Sequence, residues 1–229
     1  MIIGGFQKFS LIDYPGKICA IVFTQGCNFR CPYCHNPELV DPNLFLPPIS
    51  EEEIFAFLEK RKGKLDAVEI TGGEPTLHQD LIEFIRKIKG MGFLVKLDSN
   101  GTNPDVIREA IKNKLVDYLA MDIKAPLEKY KEITGVDVDT DKIKYNIKLI
   151  MNSGVDYEFR TTIVKSLLSK DDIVKIGELI KGAKLYILQK FTPSKTLNPL
   201  FVNEKTYSDE EFSEMKNKME KYVERCVVR

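Results

Sequence analysis

The feature that most constrains this chain is an alternation. Short apolar runs end in polar or glycine-bearing turns, and segments of helical period follow them. Lys17–Thr24 reads KICAIVFT, an apolar and β-branched run typical of a buried strand. The run 65–70 leads into Thr71-Gly72-Gly73-Glu74-Pro75, and 93–97 leads into Asp98-Ser99-Asn100-Gly101. The run 116–123 closes on Met121-Asp122-Ile123-Lys124, and further runs cover 157–164 and 185–191. Ser50 and Glu53 form a capping-box pattern that opens a helix with Ile54, Phe57 and Leu58 on one face. Leu81, Ile82, Ile85 and Ile88 mark a second helix, stopped near Gly90 and Gly92, and Val106, Ile107, Ala110 and Ile111 mark a third. Helices are expected over 127–134, 142–151 and 170–181. A last helix over 209–224 turns Phe212, Met215, Met219 and Tyr222 inward and carries Cys226 in its final turn.

Six β-α units result. Strand ends near 70, 98, 122, 162 and 189 are spaced by 28, 24, 40 and 27 residues, and the widest gap is the one that holds an extra helix. Such alternation predicts a parallel sheet with right-handed crossovers. The expected fold class is α/β, as a partial (β/α)6 barrel, with an open doubly wound sheet as the alternative. Both architectures place ligands at the carboxyl ends of the strands. The polar residues fall there: the cysteines after the first strand, Glu74 after the second, Asp98 after the third, Asp122 and Lys124 after the fourth. No linker or composition break divides the chain, so one domain over 1–229 is expected, with an N-terminal extension over 1–17 and a cysteine-bearing loop over 26–49.

That loop is punctuated by Pro37, Pro42, Pro47 and Pro48, which marks a functional loop rather than an element. Cys27, Cys31 and Cys34 stand at i, i+4 and i+7. On a helix they would share one face within about 60° of arc; in a loop the same spacing lets three sulfurs converge. Five cysteines, three of them clustered, point to metal or redox chemistry rather than a disulfide framework. A structural zinc site needs four ligands, and His35 beside Cys34 offers a Cys3His set, although no second half-site appears. An iron–sulfur cubane normally takes four cysteines. With three, one iron keeps an open position, which is the logic of a catalytic centre. Spacing alone leaves both readings open.

Other residues bound the function more loosely. Lys+Arg and Asp+Glu both number 34, so no overall basic field favours nucleic acid. No apolar run reaches the roughly 18 residues of a membrane span. The start, Met1-Ile2-Ile3-Gly4-Gly5, lacks the pattern of a signal peptide, so a cytoplasmic location is expected. Arg160, within an apolar strand, requires a partner and is a candidate carboxylate-binding group or half of a structural ion pair. Cys19 and Cys226 read as small buried residues or tolerated thiols. His78, at the start of a helix, reads as a capping or surface residue.

The run Cys27-Asn28-Phe29-Arg30-Cys31-Pro32-Tyr33-Cys34-His35-Asn36-Pro37 resembles the signature of the radical S-adenosylmethionine superfamily. Its longer form is similar to that of the glycyl-radical-enzyme activating subgroup. Phe9–Lys17, Gly72-Gly73-Glu74-Pro75, Asp98–Gly101 and Met121–Lys124 resemble further segments of that subgroup, in order, over nearly the whole chain. The compact chain is most similar to the activating proteins of anaerobic ribonucleoside-triphosphate reductase. The resemblance implies that Cys27, Cys31 and Cys34 bind three irons of a [4Fe-4S] cluster, with S-adenosylmethionine chelating the fourth through its amino and carboxylate groups. Reductive cleavage would then give methionine and a 5′-deoxyadenosyl radical, which abstracts hydrogen from a glycine of a partner glycyl radical enzyme. An electron donor such as flavodoxin or ferredoxin is implied as a second partner.

The resemblance also implies cofactor-binding roles. Tyr33 and the backbone of His35 would lie by the adenine. Gly72 and Gly73 would meet the methionine ammonium, with Glu74 accepting from it or from nearby backbone amides. Asp98, Ser99, Asn100 and Asp122 would line the next strand ends, with a monovalent cation near Asp98 and Asp122. Lys124 would reach the cofactor carboxylate or ribose, while Arg160 and Gln189 are further candidate contacts. Some relatives carry a histidine where this chain has Phe191. The alternatives are a radical enzyme acting on a small molecule, like 7-carboxy-7-deazaguanine synthase, and a zinc-stabilised binding protein.

Overall fold

An antiparallel pair opens the chain: Ile3–Ser10 forms β1, Cys19–Thr24 forms β2, and Ile3 faces Thr24 while Ser10 faces Cys19. The computed structural model describes residues 1–229. β1 was not expected, because Gly4, Gly5, Gln7 and Lys8 interrupt its apolar pattern. Where an unbroken loop was expected, residues 37–44 hold the short helix α1 (Pro37–Val40) and a 3-10 turn over Pro42–Leu44. Asp41 caps that turn by accepting from the Asn43 amide. Helix α2 (Glu51–Glu59) starts where expected, with the Ser50 hydroxyl accepting from the Glu53 amide at 3.2 Å.

The alternation follows: β3 (Ala67–Gly72), α3 (Leu81–Gly90), β4 (Leu94–Ser99), α4 (Pro104–Lys112) and β5 (Tyr118–Asp122). Then come α5 (Tyr130–Thr134), α6 (Thr140–Met151), β6 (Asp156–Ile163), α7 (Lys170–Leu179), β7 (Tyr186–Lys190), α8 (Asp209–Met219) and β8 (Cys226–Val228). The chain forms two compact units. The first comprises Met1–Asn28, Glu38–Ser99 and Asn103–Leu119; the second comprises Phe29–Pro37, Asn100–Thr102 and Ala120–Arg229.

In the first unit β2, β3 and β4 are parallel, in register Cys19–Ala67 and Ala67–Leu94. Their apolar residues are buried on both faces, as parallel strands require. Helix α3 closes one side with Leu81, Phe84, Ile85 and Ile88. Tyr14, Cys19, Ile21, Ala67 and Tyr118 form a further apolar cluster. In the second unit β6, β7 and β8 are parallel, in register Phe159–Tyr186 and Tyr186–Cys226. The expected α/β fold with a parallel sheet is what the chain adopts.

The C-terminus corrects one expectation. The last helix ends at Met219, and Cys226 opens β8 rather than standing in a helical turn. The Tyr222 amide turns back three residues to the Met219 carbonyl at 2.8 Å, tightening the chain where the helix ends. Val227 and Val228, β-branched, then pair with Ile187 and Leu188. Phe212, Met215 and Met219 do face inward.

Helix α7 shows how local chemistry fixes the second unit. The Ser169 hydroxyl accepts from the Asp172 amide, and Asp172 Oδ2 accepts from the Ser169 amide. The same Oδ2 accepts from Lys129 Nζ at 2.7 Å. Burial pushes the Asp172 carboxyl up, but Lys129 and Ser169 outweigh it and hold it below its usual range. Asp172→Ala removes the carboxylate half of the capping box and the Lys129 link, and should lower stability by about 1–3 kcal/mol. Urea unfolding measures this, and an unchanged midpoint would contradict it.

Candidate functional site

The carboxyl end of β3 meets the start of the cysteine loop backbone to backbone. The Gly73 amide donates to the Thr24 carbonyl at 2.8 Å, and the Glu74 amide donates to the Gly26 carbonyl at 2.8 Å. Gly26, in turn, donates to the Leu39 carbonyl at 2.7 Å. A Cβ on Gly73 would lie 2.0 Å from the Gly26 oxygen. Gly72 has φ +114°, and a Cβ there would lie 2.4 Å from the Thr24 nitrogen. The two glycines thus let β3 close on the backbone that leads directly into Cys27.

Glu74 is buried, and its Oε1 gathers three donors: the Thr76 amide at 3.1 Å, the Thr76 hydroxyl at 2.5 Å and the Ser99 hydroxyl at 2.8 Å. Ser99 ends β4, so this carboxylate ties two neighbouring strand ends together. A second tie lies deeper. Lys96, 1% exposed, places Nζ 2.7 Å from Glu69 Oε1 and 2.7 Å from Asp98 Oδ1, while the Thr71 hydroxyl donates to Asp98 Oδ2 at 3.3 Å. Burial, and then the neighbouring Asp98, push the Glu69 carboxyl up to about 9. Cys19, also buried, has its thiol pushed up to about 12 by burial and by Glu69.

The second unit carries the other two cysteines. The Cys34 amide turns back to the Cys31 carbonyl at 3.0 Å, and the Arg30 amide donates to the Thr134 carbonyl at 2.7 Å. Residues 197–198 hold the loop from its far side: Leu197 N donates to Cys34 O and Asn198 N to Pro32 O, both at 2.9 Å. Cys31 is buried, whereas Cys34 is half-exposed. Burial pushes the Cys31 thiol up to about 11, against the opposing pull of Lys124. Tyr33 is buried beside Cys31, and its phenol is pushed well above the usual range by burial and by that thiol.

Lys124 Nζ lies 2.9 Å from Asp122 Oδ2, and Arg160 Nε lies 2.9 Å from Asp122 Oδ1. Burial works against the Lys124 charge, but Asp122, Tyr33 and Cys31 hold its ammonium well above the usual lysine range. Arg160 therefore has the ion-pair partner that a buried guanidinium requires, with Glu158 a further 3.9 Å neighbour. The His35 ring stacks on Phe191 at 5.3 Å, and its Nε2 donates to the Thr192 carbonyl at 3.0 Å. Asn100 Oδ1 accepts from the Thr102 amide and hydroxyl. Gln189 Oε1 accepts from Thr162, its register partner on β6, at 3.4 Å. His78 closes the 3-10 turn over Pro75–Leu77 and accepts from the Leu81 amide, as a helix-start residue does.

In the first unit, then, the structure gathers Gly72, Gly73, Glu74, Asp98 and Ser99 at two tied strand ends, beside the backbone that leads into Cys27. In the second it gathers Cys31 and Tyr33 with Asp122, Lys124 and Arg160. Each of the two aspartates carries its own protein cation. Sequence reasoning missed Glu69, Thr71, Thr76 and Lys96. The available signal was the placement of Glu69 and Lys96 in the middle of otherwise apolar strands.

All five cysteines are free of disulfides, and no group of three His, Cys, Asp or Glu side chains closes on a metal position. The His35 ring is engaged by Phe191 and Thr192. Thiols without a disulfide, with Cys31 buried beside a lysine charge, are the donor chemistry that an iron–sulfur cluster takes.

The radical SAM superfamily profile matches residues 21–180. The chain belongs to the radical SAM superfamily. A Methanocaldococcus jannaschii protein provisionally named a glycyl-radical enzyme activating enzyme is 38% identical over 233 residues, covering 100% of this chain and 95% of that one. A Pyrococcus horikoshii protein, provisionally named a GTP 3′,8-cyclase, is 35% identical over 125 residues, covering 54% of this chain and 40% of that one. Among solved structures, Streptococcus suis SuiB bound to precursor peptide SuiA superposes with a TM-score of 0.70 at 14% identity, a likeness of fold. The match covers 91% of this chain and 48% of SuiB, so the chain spans about half of SuiB's length. This radical SAM chain is thus an enzyme, and the family's cofactors are S-adenosylmethionine and a [4Fe-4S] cluster. No helix is long and apolar enough to cross a membrane.

Two outcomes follow from the first unit of this enzyme. Gly73→Ala should lower stability by about 1–3 kcal/mol, because the Gly26 carbonyl must move, and should reduce iron loading at Cys27; retained stability and iron content would contradict the close approach. Between the unfolded glutamate value of about 4.3 and a folded value of about 9, folded Glu69 keeps a proton that the unfolded chain releases. Stability is therefore lost as pH rises through that window. Glu69→Gln should remove this loss, so its urea midpoint should gain on the wild type from about pH 5 to about pH 9; parallel profiles would contradict it.

Proposed function

We propose that this radical SAM enzyme generates a glycyl radical on a partner enzyme, and that the partner is anaerobic ribonucleoside-triphosphate reductase. The observation that carries the reading is the similarity, at 38% identity over the full chain, to the provisionally named activating enzyme. The three thiols, none in a disulfide, with Cys31 buried beside Lys124 and Tyr33, support it.

Cys27, Cys31 and Cys34 would hold the cluster as thiolates. When bound, a [4Fe-4S] cluster carrying S-adenosylmethionine supplies an electron that breaks the sulfonium C–S bond and releases a hydrogen-abstracting radical. The chain's own residues prepare that event. Burial of Cys31 keeps water from its sulfur, and the Lys124 ammonium places positive charge where thiolate charge gathers. Asp122 holds Lys124 and Arg160 as a pair, so that two cations face an anionic carboxylate at a fixed separation. Tyr33 offers an aromatic face. Glu74 and Ser99 fix the turn whose Gly72 and Gly73 peptides would bind the cofactor's polar end, and Asp98 closes the neighbouring strand end. Asn100, His35 and Gln189 complete the set, and a flavodoxin or ferredoxin delivers the electron.

A second reading, a small nucleotide-like substrate, is supported by the 35% identity to the provisionally named cyclase over 54% of the chain. One experiment separates the two. The reconstituted enzyme, its reductant and S-adenosylmethionine are mixed anaerobically with the reductase, and electron paramagnetic resonance is recorded. A doublet that collapses when the reductase glycine is deuterated supports activation. Formation of 5′-deoxyadenosine without a radical on the reductase, but with consumption of a nucleotide, supports the second reading. Cys31→Ala should abolish both signals and the cluster; turnover by that variant would overturn the ligand role.

A further inference from the structure

Lys96 is a deeply buried charge in the first unit, at 1% exposed, and no step above uses it directly. It stands on β4, directly across from Glu69 on β3, and bridges Glu69 Oε1 and Asp98 Oδ1, each at 2.7 Å. Asp98 also receives the Thr71 hydroxyl at 3.3 Å. From Thr71 the chain runs directly into Gly72-Gly73-Glu74, and from Asp98 into Ser99, whose hydroxyl donates to Glu74 Oε1 at 2.8 Å. The two strand ends are stitched twice, and Lys96 supplies the ammonium of the deeper stitch.

A buried Lys96–Asp98 ion pair, with the protonated Glu69 carboxyl hydrogen-bonded beside it, is poor value as a source of stability. Desolvation of the ammonium costs several kcal/mol, and well-packed apolar residues often do as well. Its effect is on placement. Without the ammonium, the Glu69 and Asp98 carboxyl groups would face each other with no cation between them. Asp98 would draw away from Thr71, and Ser99, the next residue, would move relative to Glu74.

We propose that Lys96 is a positioning residue for cofactor binding: it holds Asp98 on Thr71, and thereby sets the Ser99–Glu74 contact at the turn that meets S-adenosylmethionine. The inference rests on the reading that this turn binds the cofactor. It assigns Lys96 no contact with the cofactor itself, and Glu69 serves as the anchor that keeps the ammonium in place.

The test uses anaerobically reconstituted full-length enzyme. Iron and sulfide content, thermal midpoint and the dissociation constant of S-adenosylmethionine by equilibrium dialysis are measured separately for wild type, Lys96→Met, Lys96→Arg and the double variant Glu69→Gln with Lys96→Gln. The double variant replaces the Glu69–Lys96 contact with two amides that can still hydrogen-bond, so it keeps the question answerable if Lys96→Met does not fold. In the double variant, iron content should match the wild type while cofactor affinity falls about tenfold or more, a change of about 1.4 kcal/mol. Lys96→Arg, which retains the charge, should recover part of that loss. Affinity within twofold of wild type in the double variant would overturn the proposal, as would a loss that merely follows iron content. Failure of cluster-loaded wild type to bind S-adenosylmethionine would instead overturn the underlying reading of the turn.

Discussion

No side chain fits between Gly73 and the carbonyl of Gly26, and much of the first unit depends on that contact. A Cβ at Gly73 would stand 2.0 Å from the Gly26 oxygen, and the neighbouring amide of Glu74 is hydrogen-bonded to the same oxygen. The constraint fixes where β3 ends and where the chain departs toward Cys27. It also explains why two glycines precede a buried glutamate: the glycines allow the approach, and the glutamate locks it through Thr76 and Ser99. The geometry of this turn is therefore decided by backbone packing before any ligand is considered.

Charge is handled locally in each unit. Asp98 has Lys96 in the first, and Asp122 has Lys124 and Arg160 in the second. Buried carboxylates without partners would be expensive and would take up protons. Here each is held by a cation supplied from its own or a nearby strand. Asp98 thus meets a protein ammonium, and Asp122 a protein ammonium and a guanidinium. The proposed roles of Lys96 and Lys124 differ accordingly, since Lys96 organises a turn while Lys124 lies beside the Cys31 thiol.

Much of this was legible in the sequence because the parallel strands are buried on both faces and read as continuous apolar runs. β2 through β7 and the helices between them stood out for that reason. β1 was not legible: its glycines and exposed Gln7 and Lys8 carry no apolar signature, and only pairing with β2 makes it a strand. β8 was hidden because three residues, Cys226–Val228, are too few to outweigh a preceding helical pattern. The cysteine spacing announced metal chemistry but left zinc open, and the family match with the engaged His35 ring resolved that ambiguity. The Glu69–Lys96–Asp98 group escaped notice because charged residues in a strand give no hint of which neighbours they meet. Only the register of β3 against β4 brings them together.

The central claim is that three thiols of this chain hold a cluster with one iron left for S-adenosylmethionine. The most direct measurement is electron paramagnetic resonance of the reduced, anaerobically reconstituted protein, with and without S-adenosylmethionine labelled with nitrogen-15 in its amino group. The account predicts a [4Fe-4S] signal that changes on addition and shows coupling to the labelled nitrogen. A signal indifferent to the cofactor, or a colourless protein holding one tight zinc ion, would contradict it.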